Sequence, residues 1–412
     1  LIKCAGKDSD RGCFCGGESE FYNKRWSKMK KTLKKILCSV LALSSSAILF
    51  AGCGNKKTDG TDTWTIGSIG PSSGENASYG LSVKQGAEIA VDEINAKGGI
   101  SGYKISFKFE DDKAQPAEGV TAYSSLKDWG MKISLGCVTS GSCADVAVQA
   151  KADNMFLLTP SASDKSCIKE DNAFRICFED PYQGISLAKY IKDNYDYQNL
   201  KIGVLYNTAS DYSKGIYDAF AAELGVDVVT ATFNDDKETV FTAQASQLAG
   251  CNIVVLPIYY QAAAAYLKAA QSNKDVVYFG GDGLDGIIDE LGSSYSELSE
   301  GIKLLTPFNA NSSDEVVSNF VKSYKDKYNA TPDQFAADGY DAVYTVKAAI
   351  EKAIADGSNI TPASSISDIC NALKGAMTKI SVKGATGEMT WAADGAPSKS
   401  ANIVTITDGQ YK

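Results

Sequence analysis

The chain of 412 residues contains no histidine. That absence removes Ser-His-Asp triads, His-ligated metal sites and imidazole general bases together. Chemistry by paired carboxylates or by lysine survives, but no such pair is marked by spacing. Among the six cysteines from Cys137 onward (Cys137, Cys143, Cys167, Cys177, Cys251 and Cys370) there is no CxxC step, which argues against a zinc site. No apolar run reaches the roughly 20 residues of a membrane-spanning helix, the segment Ile36 to Ala51 offering about 16. Positive charge is scarce outside the head of the chain. Of 41 Lys/Arg and 50 Asp/Glu, the first 52 residues hold 10 and 4, which leaves 31 and 46, a net of −15, for the rest. An acidic body without a basic stripe argues against a nucleic-acid partner.

What is present is patterned. The length exceeds one ordinary core and implies two lobes. An apolar content of 44% and a charged content of 22% are ordinary for a soluble globular chain. Trp64 to Ile69 reads as a strand, Tyr79 to Ala96 as a helix stopped by Gly98-Gly99, and Tyr103 to Phe109 as a second strand. Pro116 opens a helix to about Trp129. After a break near Asp180, Lys201–Tyr206, Val226–Thr232, Ile253–Leu256 and Val276–Phe279 read as strands separated by helical stretches. Such alternation implies parallel sheets with helices on both faces, an α/β fold. From Asp314 to about Ala355 the chain reads as helical, and Gly384 to Lys412 as short strands.

The stretch Leu135–Ser163 organises the first half. It reads as strand, hydroxyl-rich loop (Thr139-Ser140-Gly141-Ser142), helix, strand, and second hydroxyl-rich loop (Thr159-Pro160-Ser161-Ala162-Ser163). Parallel neighbours place both loops at one carboxyl edge of the sheet, where open α/β sheets bind ligands. Backbone N–H groups at a helix start, backed by hydroxyls, suit a small anion such as a carboxylate. Gly281-Asp282-Gly283-Leu284-Asp285-Gly286 also matches GxGxxG after a strand, but its two aspartates would repel a pyrophosphate.

The head carries a different signal. Met29 to Lys35 is basic, Ile36 to Ala51 apolar, and Ala51-Gly52-Cys53 supplies small residues before a cysteine, the order of a secretory signal. The run resembles a bacterial lipoprotein signal in which Cys53 is acylated, with Phe50 where Leu is more usual. Residues 1–28 read as an upstream or non-native leader, 29–52 as the signal peptide and 53–62 as a lipidated tether. An exported chain can form disulfides, and Cys167–Cys177 is the pair that a short turn could join, with buried free thiols the competing reading.

Tyr79, Gly86-Ala87-Glu88 and Ile94-Asn95-Ala96-Lys97-Gly98-Gly99-Ile100 resemble the opening of the branched-chain amino-acid-binding family of solute-binding proteins. Glu110-Asp111-Asp112 with Pro116, Thr159-Pro160-Ser161-Ala162, Gly281-Asp282-Gly283 and Tyr340-Asp341-Ala342 match later landmarks in order, over residues 63–409. The resemblance implies a periplasmic binding protein type I fold, two Rossmann-like lobes joined by three hinge crossings and closing on a ligand between them. The crossings are expected near Asp180, Phe308 and Gly384. The first lobe then comprises residues 63–180 and 309–384, and the second 181–308 and 385–412.

The same resemblance implies a site. Ser140 falls where a hydroxyl and an N–H hold the ligand's carboxylate, Ser161 where a backbone carbonyl accepts from its ammonium, and Ser163 where a hydroxyl touches both ends. Tyr79 covers the ligand. The second lobe supplies Tyr212, Tyr259 (or its neighbour Tyr260, which alternation sends to the opposite side) and Asp282, the acid that pairs with the ammonium. Phe308 lines the side-chain pocket. For each serine the competing reading is helix capping, and for Tyr79 a half-buried helix aromatic. The implied function is an extracytoplasmic, monomeric, lipid-anchored receptor of an ABC importer. It captures an amino acid and presents it to permease subunits, with no cofactor, no metal and no catalysis. The alternatives are a ligand-sensing lipoprotein and, from another class, a carboxylate-dependent surface hydrolase.

Overall fold

The computed structural model describes residues 62–412, apart from Glu75, Asp236 and Lys274. The leader, the signal peptide, Cys53 and the tether up to residue 61 lie outside the described residues. Alternation along each strand divides the core. On the first strand, β1 (Thr63–Gly70), Trp64 and Ile66 enter one apolar cluster and Ile69 enters another on the opposite face. Four further strands complete the sheet: β2 (Lys104–Asp111), β3 (Ile133–Leu135), β4 (Phe156–Thr159) and β5 (Ala173–Arg175). On β4, Phe156 and Leu158 face one layer while Leu157 faces the other. All pairings are parallel, in the spatial order β2-β1-β3-β4-β5. The order reverses between β1 and β3, so the loops after these two strands leave in opposite directions and open a crevice at the sheet's carboxyl edge.

The second sheet repeats the plan. β6 (Ile202–Asn207), β7 (Val229–Phe233), β8 (Ile253–Leu256), β9 (Val277–Gly280) and β10 (Lys303–Thr306) pair in parallel in the order β7-β6-β8-β9-β10, with the reversal between β6 and β8. The antiparallel hairpin β11 (Ser381–Gly384) and β12 (Gly387–Thr390) is separate, and β13 (Asn402–Thr407) and β14 (Gln410–Tyr411) extend the second sheet antiparallel beyond β10. Helices Glu315–Tyr328, Gln334–Ala355 and Ile366–Met377 return to cover the first sheet, where Phe320, Val343, Val346 and Leu373 meet Ile66 and Leu135 in one cluster. Helix Ala77–Ala96 crosses Gln334–Ala355 at close range. A Cβ on Gly86 would collide with the Ala336 carbonyl, and one on Gly339 with the Val83 carbonyl, so both glycines let the backbones touch.

The chain changes lobes after Arg175 and again between Thr306 and Glu315, the expected crossings lying near Asp180 and Phe308. The third differs. Hairpin β11–β12 stays with the first lobe, with Ala385, Met389 and Trp391 in that lobe's core. Trp391 Nε1 donates to the Arg175 carbonyl at 2.7 Å, and the Arg175 N–H donates to Gly395 O at 3.2 Å. These bonds hold the chain against β5 beyond residue 384, and it reaches the second sheet only at Asn402. Gly384 makes room for a buried acid instead of a crossing. Asp341 accepts from the N–H groups of Ala385 and Thr386 at 2.7 and 2.9 Å, and a Cβ on Gly384 would collide with that carboxylate.

Candidate functional site

The carboxyl edges of the two sheets meet. From the first lobe, helix Ser140–Ala152 starts after β3, with Thr139 as an extended N-cap residue whose hydroxyl makes no capping bond. The buried Thr139 Oγ1 has no partner among the described residues. Ser140 Oγ accepts from the N–H groups of Ser163 and Asp164, each at 3.2 Å, which ties the loop after β3 to the loop after β4. With both acceptor positions filled, the Ser140 hydroxyl proton is left to donate elsewhere. Ser161 Oγ donates to Val138 O at 2.9 Å, and Thr159 Oγ1 donates to Cys137 O at 2.7 Å. Two free hydroxyl donors at a helix start make this end of the site electropositive, and behind it the buried Arg175 guanidinium donates to the Ser163 carbonyl.

The second lobe supplies the opposite polarity. Asp282 follows β9 in the first turn of a short 3-10 helix and is 5% exposed. Its Oδ1 accepts from Tyr212 OH at 2.9 Å, Tyr212 OH accepts from the Gly283 N–H at 3.0 Å, and Gln183 Oε1 accepts from the Asp282 N–H at 2.9 Å. Burial pushes the Asp282 carboxyl up to about 6, opposed by the Tyr212, Gln183 and Gly283 donors and reinforced by Asp285. No cation pairs with Asp282 among the described residues, so a carboxylate largely ionised at neutral pH is buried without a counter-charge. The glycines of the GxGxxG match serve this arrangement. A Cβ on Gly281 would collide with Gln183 Oε1, and one on Gly283 would press on Tyr212 OH.

Aromatic rings fill the space between. Tyr212 and Tyr259 stack at 4.9 Å with 16° between their planes, and Tyr79 meets Tyr259 edge-on at 5.8 Å. Tyr79 OH donates to Gly283 O at 2.6 Å and accepts from the Tyr260 N–H at 3.3 Å, so a first-lobe residue is bonded directly to the second lobe. Tyr79, Val138, Thr139, Ser140, Ser161, Ser163, Tyr212, Tyr259, Asp282, Gly283 and Phe335 line one cavity of about 10 Å³, the scale of a single water. The lobes are closed on each other.

Seven of the eight ligand-site residues expected from the sequence therefore share one cavity: Tyr79, Ser140, Ser161, Ser163, Tyr212, Tyr259 and Asp282. Between the two neighbouring tyrosines, Tyr259 lines it, whereas Tyr260 opens helix Tyr260–Ala269. Phe308 does not belong. It is 7% exposed in the first lobe's core, 6.1 Å from Phe320, and borders a separate cavity with Thr306, Asn309 and Lys325. The reason is direction: past β10 the chain turns toward helix Glu315–Tyr328, and Phe308 packs beneath that helix. The aromatic wall comes instead from Phe335, 4.3 Å from Tyr79. Sequence reading missed Phe335 and Gln183. Phe335 carries one readable sign, the Asp333 cap that fixes the start of its helix by accepting from Ala336 N at 2.8 Å.

A sequence model of the family described as periplasmic binding protein matches residues 63–410. The chain belongs to this family. A Leu/Ile/Val-binding protein, BraC3, from Rhizobium johnstonii is 32% identical over 304 residues, covering 70% of this chain and 79% of that protein. The substrate-binding protein LivJ of a branched-chain amino-acid transporter from Streptococcus pneumoniae, solved with isoleucine, superposes with a TM-score of 0.75 at 29% identity, covering 85% of this chain and 98% of that one. LivK from Thermotoga maritima, a leucine-binding protein, shares the fold at 23% identity with a TM-score of 0.74, covering 84% and 97%. This family member is a solute-binding protein of the type that serves branched-chain amino-acid ABC transporters, built as a two-lobed α/β fold. The relatives are binding proteins rather than enzymes.

Proposed function

We propose that the protein captures a small zwitterion, an amino acid of the branched-chain class first among them, and presents it to ABC permease subunits outside the cell membrane. One observation carries this reading. The cavity has free hydroxyl donors at a helix start on one lobe and an unpaired buried carboxylate, Asp282, on the other. A ligand carboxylate suits the first end and an α-ammonium the second, where a charge-assisted bond forms away from water. In this reading Ser140 and Ser163 hold the carboxylate, the Ser161 carbonyl and Asp282 hold the ammonium, and Tyr79, Tyr212, Tyr259 and Phe335 enclose the rest. The ligand is admitted when the lobes part. The protein acts as a monomer and is tethered through an acylated Cys53.

The test is thermal unfolding after partial unfolding has stripped carried-over ligand, with leucine, isoleucine, valine and then the other amino acids added. A ligand at ~100 times its dissociation constant adds about 2.7 kcal/mol, a visible midpoint shift. A shift with a branched-chain amino acid that disappears in Asp282→Ala supports the reading. No shift with any amino acid or amide sinks it.

A further inference from the structure

Behind the first-lobe end of the site lies a group of buried thiols that ligand binding does not use. Cys137, Cys143 and Cys167 are each fully buried and belong to one apolar cluster between the first sheet and helix Ser140–Ala152. They are not equivalent. The Cys137 thiol is pushed up by burial and then by the nearby Asp112 carboxylate. Cys167 sits in the 3-10 turn Lys165–Ile168, its Sγ 3.5 Å from the carbonyl of Ser140, one helical turn before Cys143, and its thiol is pushed up by burial and then by the neighbouring Cys143 thiol. Cys143 lies in the first turn of the helix that begins at Ser140. Cys177, the partner suggested by sequence spacing, lies beyond β5, where Arg175, Asp338, Asp282 and Lys399 are its charged neighbours. All six described cysteines are free thiols in this structure.

We propose that Cys143 and Cys167 are a built-in oxidisable pair whose disulfide pins the start of the ligand-site helix to the turn that follows the second hydroxyl loop. The inference rests on the extracytoplasmic reading above, because only an oxidising compartment keeps such a bond. The reaction is thiol–disulfide exchange with a small-molecule or protein disulfide. One thiolate attacks the oxidant's disulfide and forms a mixed disulfide. The second thiolate then displaces the oxidant's remaining sulfur. Two protons leave the cysteines, two electrons pass to the oxidant, and the oxidant departs as two thiols. Burial pushes the Cys167 thiol well up and shuts out the oxidant, so the exchange belongs to folding or to local opening, and the finished bond is shielded from reductant. The consequence falls on the site. Ser140, its hydroxyl already held by the loop at Ser163 and Asp164, becomes the residue between two covalently joined segments.

The full chain is refolded in glutathione disulfide, alkylated without reduction and mapped after trypsin. Cys137 and Cys143 share the tryptic peptide 133–151, so fragmentation within it decides which is joined to peptide 166–169. Cys137→Ser, Cys143→Ser and Cys143→Ala are mapped alongside. The expected result is a Cys143–Cys167 link that survives Cys137→Ser and is absent from both Cys143 variants, with a melting midpoint that reductant lowers in the parent and in Cys137→Ser but in neither Cys143 variant. Alkylation of both Cys143 and Cys167 after oxidative refolding overturns the proposal, as does a link from Cys167 to Cys137 or Cys177. Refolding with an added oxidant tests the pairing whatever the ligand, so failure of the amino-acid screen and failure of this pairing are separate outcomes.

Discussion

Replacing Asp282 with asparagine should stabilise the ligand-free protein and abolish tight binding at the same time. Burial raises this carboxyl from 3.8 to about 6. A rise of about two units corresponds to about 3 kcal/mol of penalty for the ionised form in the closed, ligand-free fold. The sign is fixed by comparison with the unfolded chain. There the group loses its proton near 3.8, so the stability it contributes is complete below that value, is lost as pH rises through about 6, and is absent at pH 7. An asparagine carries no charge to bury and still accepts from Tyr212 OH, so Asp282→Asn should gain about 1–3 kcal/mol at neutral pH, a midpoint rise of several degrees. An ammonium ligand reverses the sign because it binds the ionised form. Its affinity should fall about tenfold per pH unit below about 6, and that slope should vanish in the variant. Asp112, Asp333 and Asp338 are also pushed up by burial, to about 6, 7 and 7, so the slope is read as the difference between parent and variant. Calorimetric titration with isoleucine from pH 7.5 to 5, with thermal scans of both ligand-free proteins, is the assay. A parent affinity that stays flat across that range, or a variant that is less stable yet still binds, would refute the reasoning.

Ser140→Ala removes the acceptor for the Ser163 and Asp164 N–H groups together with the free hydroxyl proton. A hydrogen bond to a charged group contributes about 1.5–3 kcal/mol, so titration should show affinity for an amino acid reduced about 10- to 100-fold. Phe308→Ala should cost about 3–5 kcal/mol of stability in chemical denaturation and leave ligand preference unchanged, because the ring packs on Phe320 away from the cavity. Phe335→Ala should change the ranking of leucine, isoleucine and valine in a competition assay, since that ring lines the cavity beside Tyr79. Gly86→Val should unfold the first lobe at markedly lower temperature, because its side chain has nowhere to go but into the Ala336 carbonyl.

The legible part of this protein is what local chemistry dictates. Alternating apolar runs bounded by Gly, Pro and small polar residues revealed the strands of both sheets, and helical spacing revealed the helices between them. The two hydroxyl loops were readable because they end neighbouring strands, whereas Ser140 and Ser163 within them, and Asp282 in its glycine loop, were singled out by the family resemblance. Phe308 misled because a residue at a strand end points toward the cleft only if the following chain stays there, and here the chain turns back to the first lobe. Trp391 illustrates the same limit. Its indole N–H reaches the Arg175 carbonyl, 216 residues away in sequence, and no spacing rule contains that pairing. Gln183 was missed because its role lies in one amide oxygen bonded to the backbone of Asp282 across the second lobe.

The repeated strand order explains why opposite charges end up facing each other. Each sheet reverses direction once, between β1 and β3 in the first and between β6 and β8 in the second, and each therefore offers its loops at one edge. A loop that runs straight into a helix carries that helix's positive end, as at Ser140. A loop that pauses in a short turn before any long helix can hold an acid instead, as at Asp282. Closing the two edges without a ligand buries the acid opposite the Tyr79 ring and leaves its charge unanswered. A penalty of about 3 kcal/mol disfavours that state on the order of 100-fold relative to one in which a cation satisfies Asp282. A ligand with an ammonium at one end and a carboxylate at the other removes the penalty and engages both lobes at once. Differential affinity of this kind is what shifts a two-state equilibrium toward the closed form.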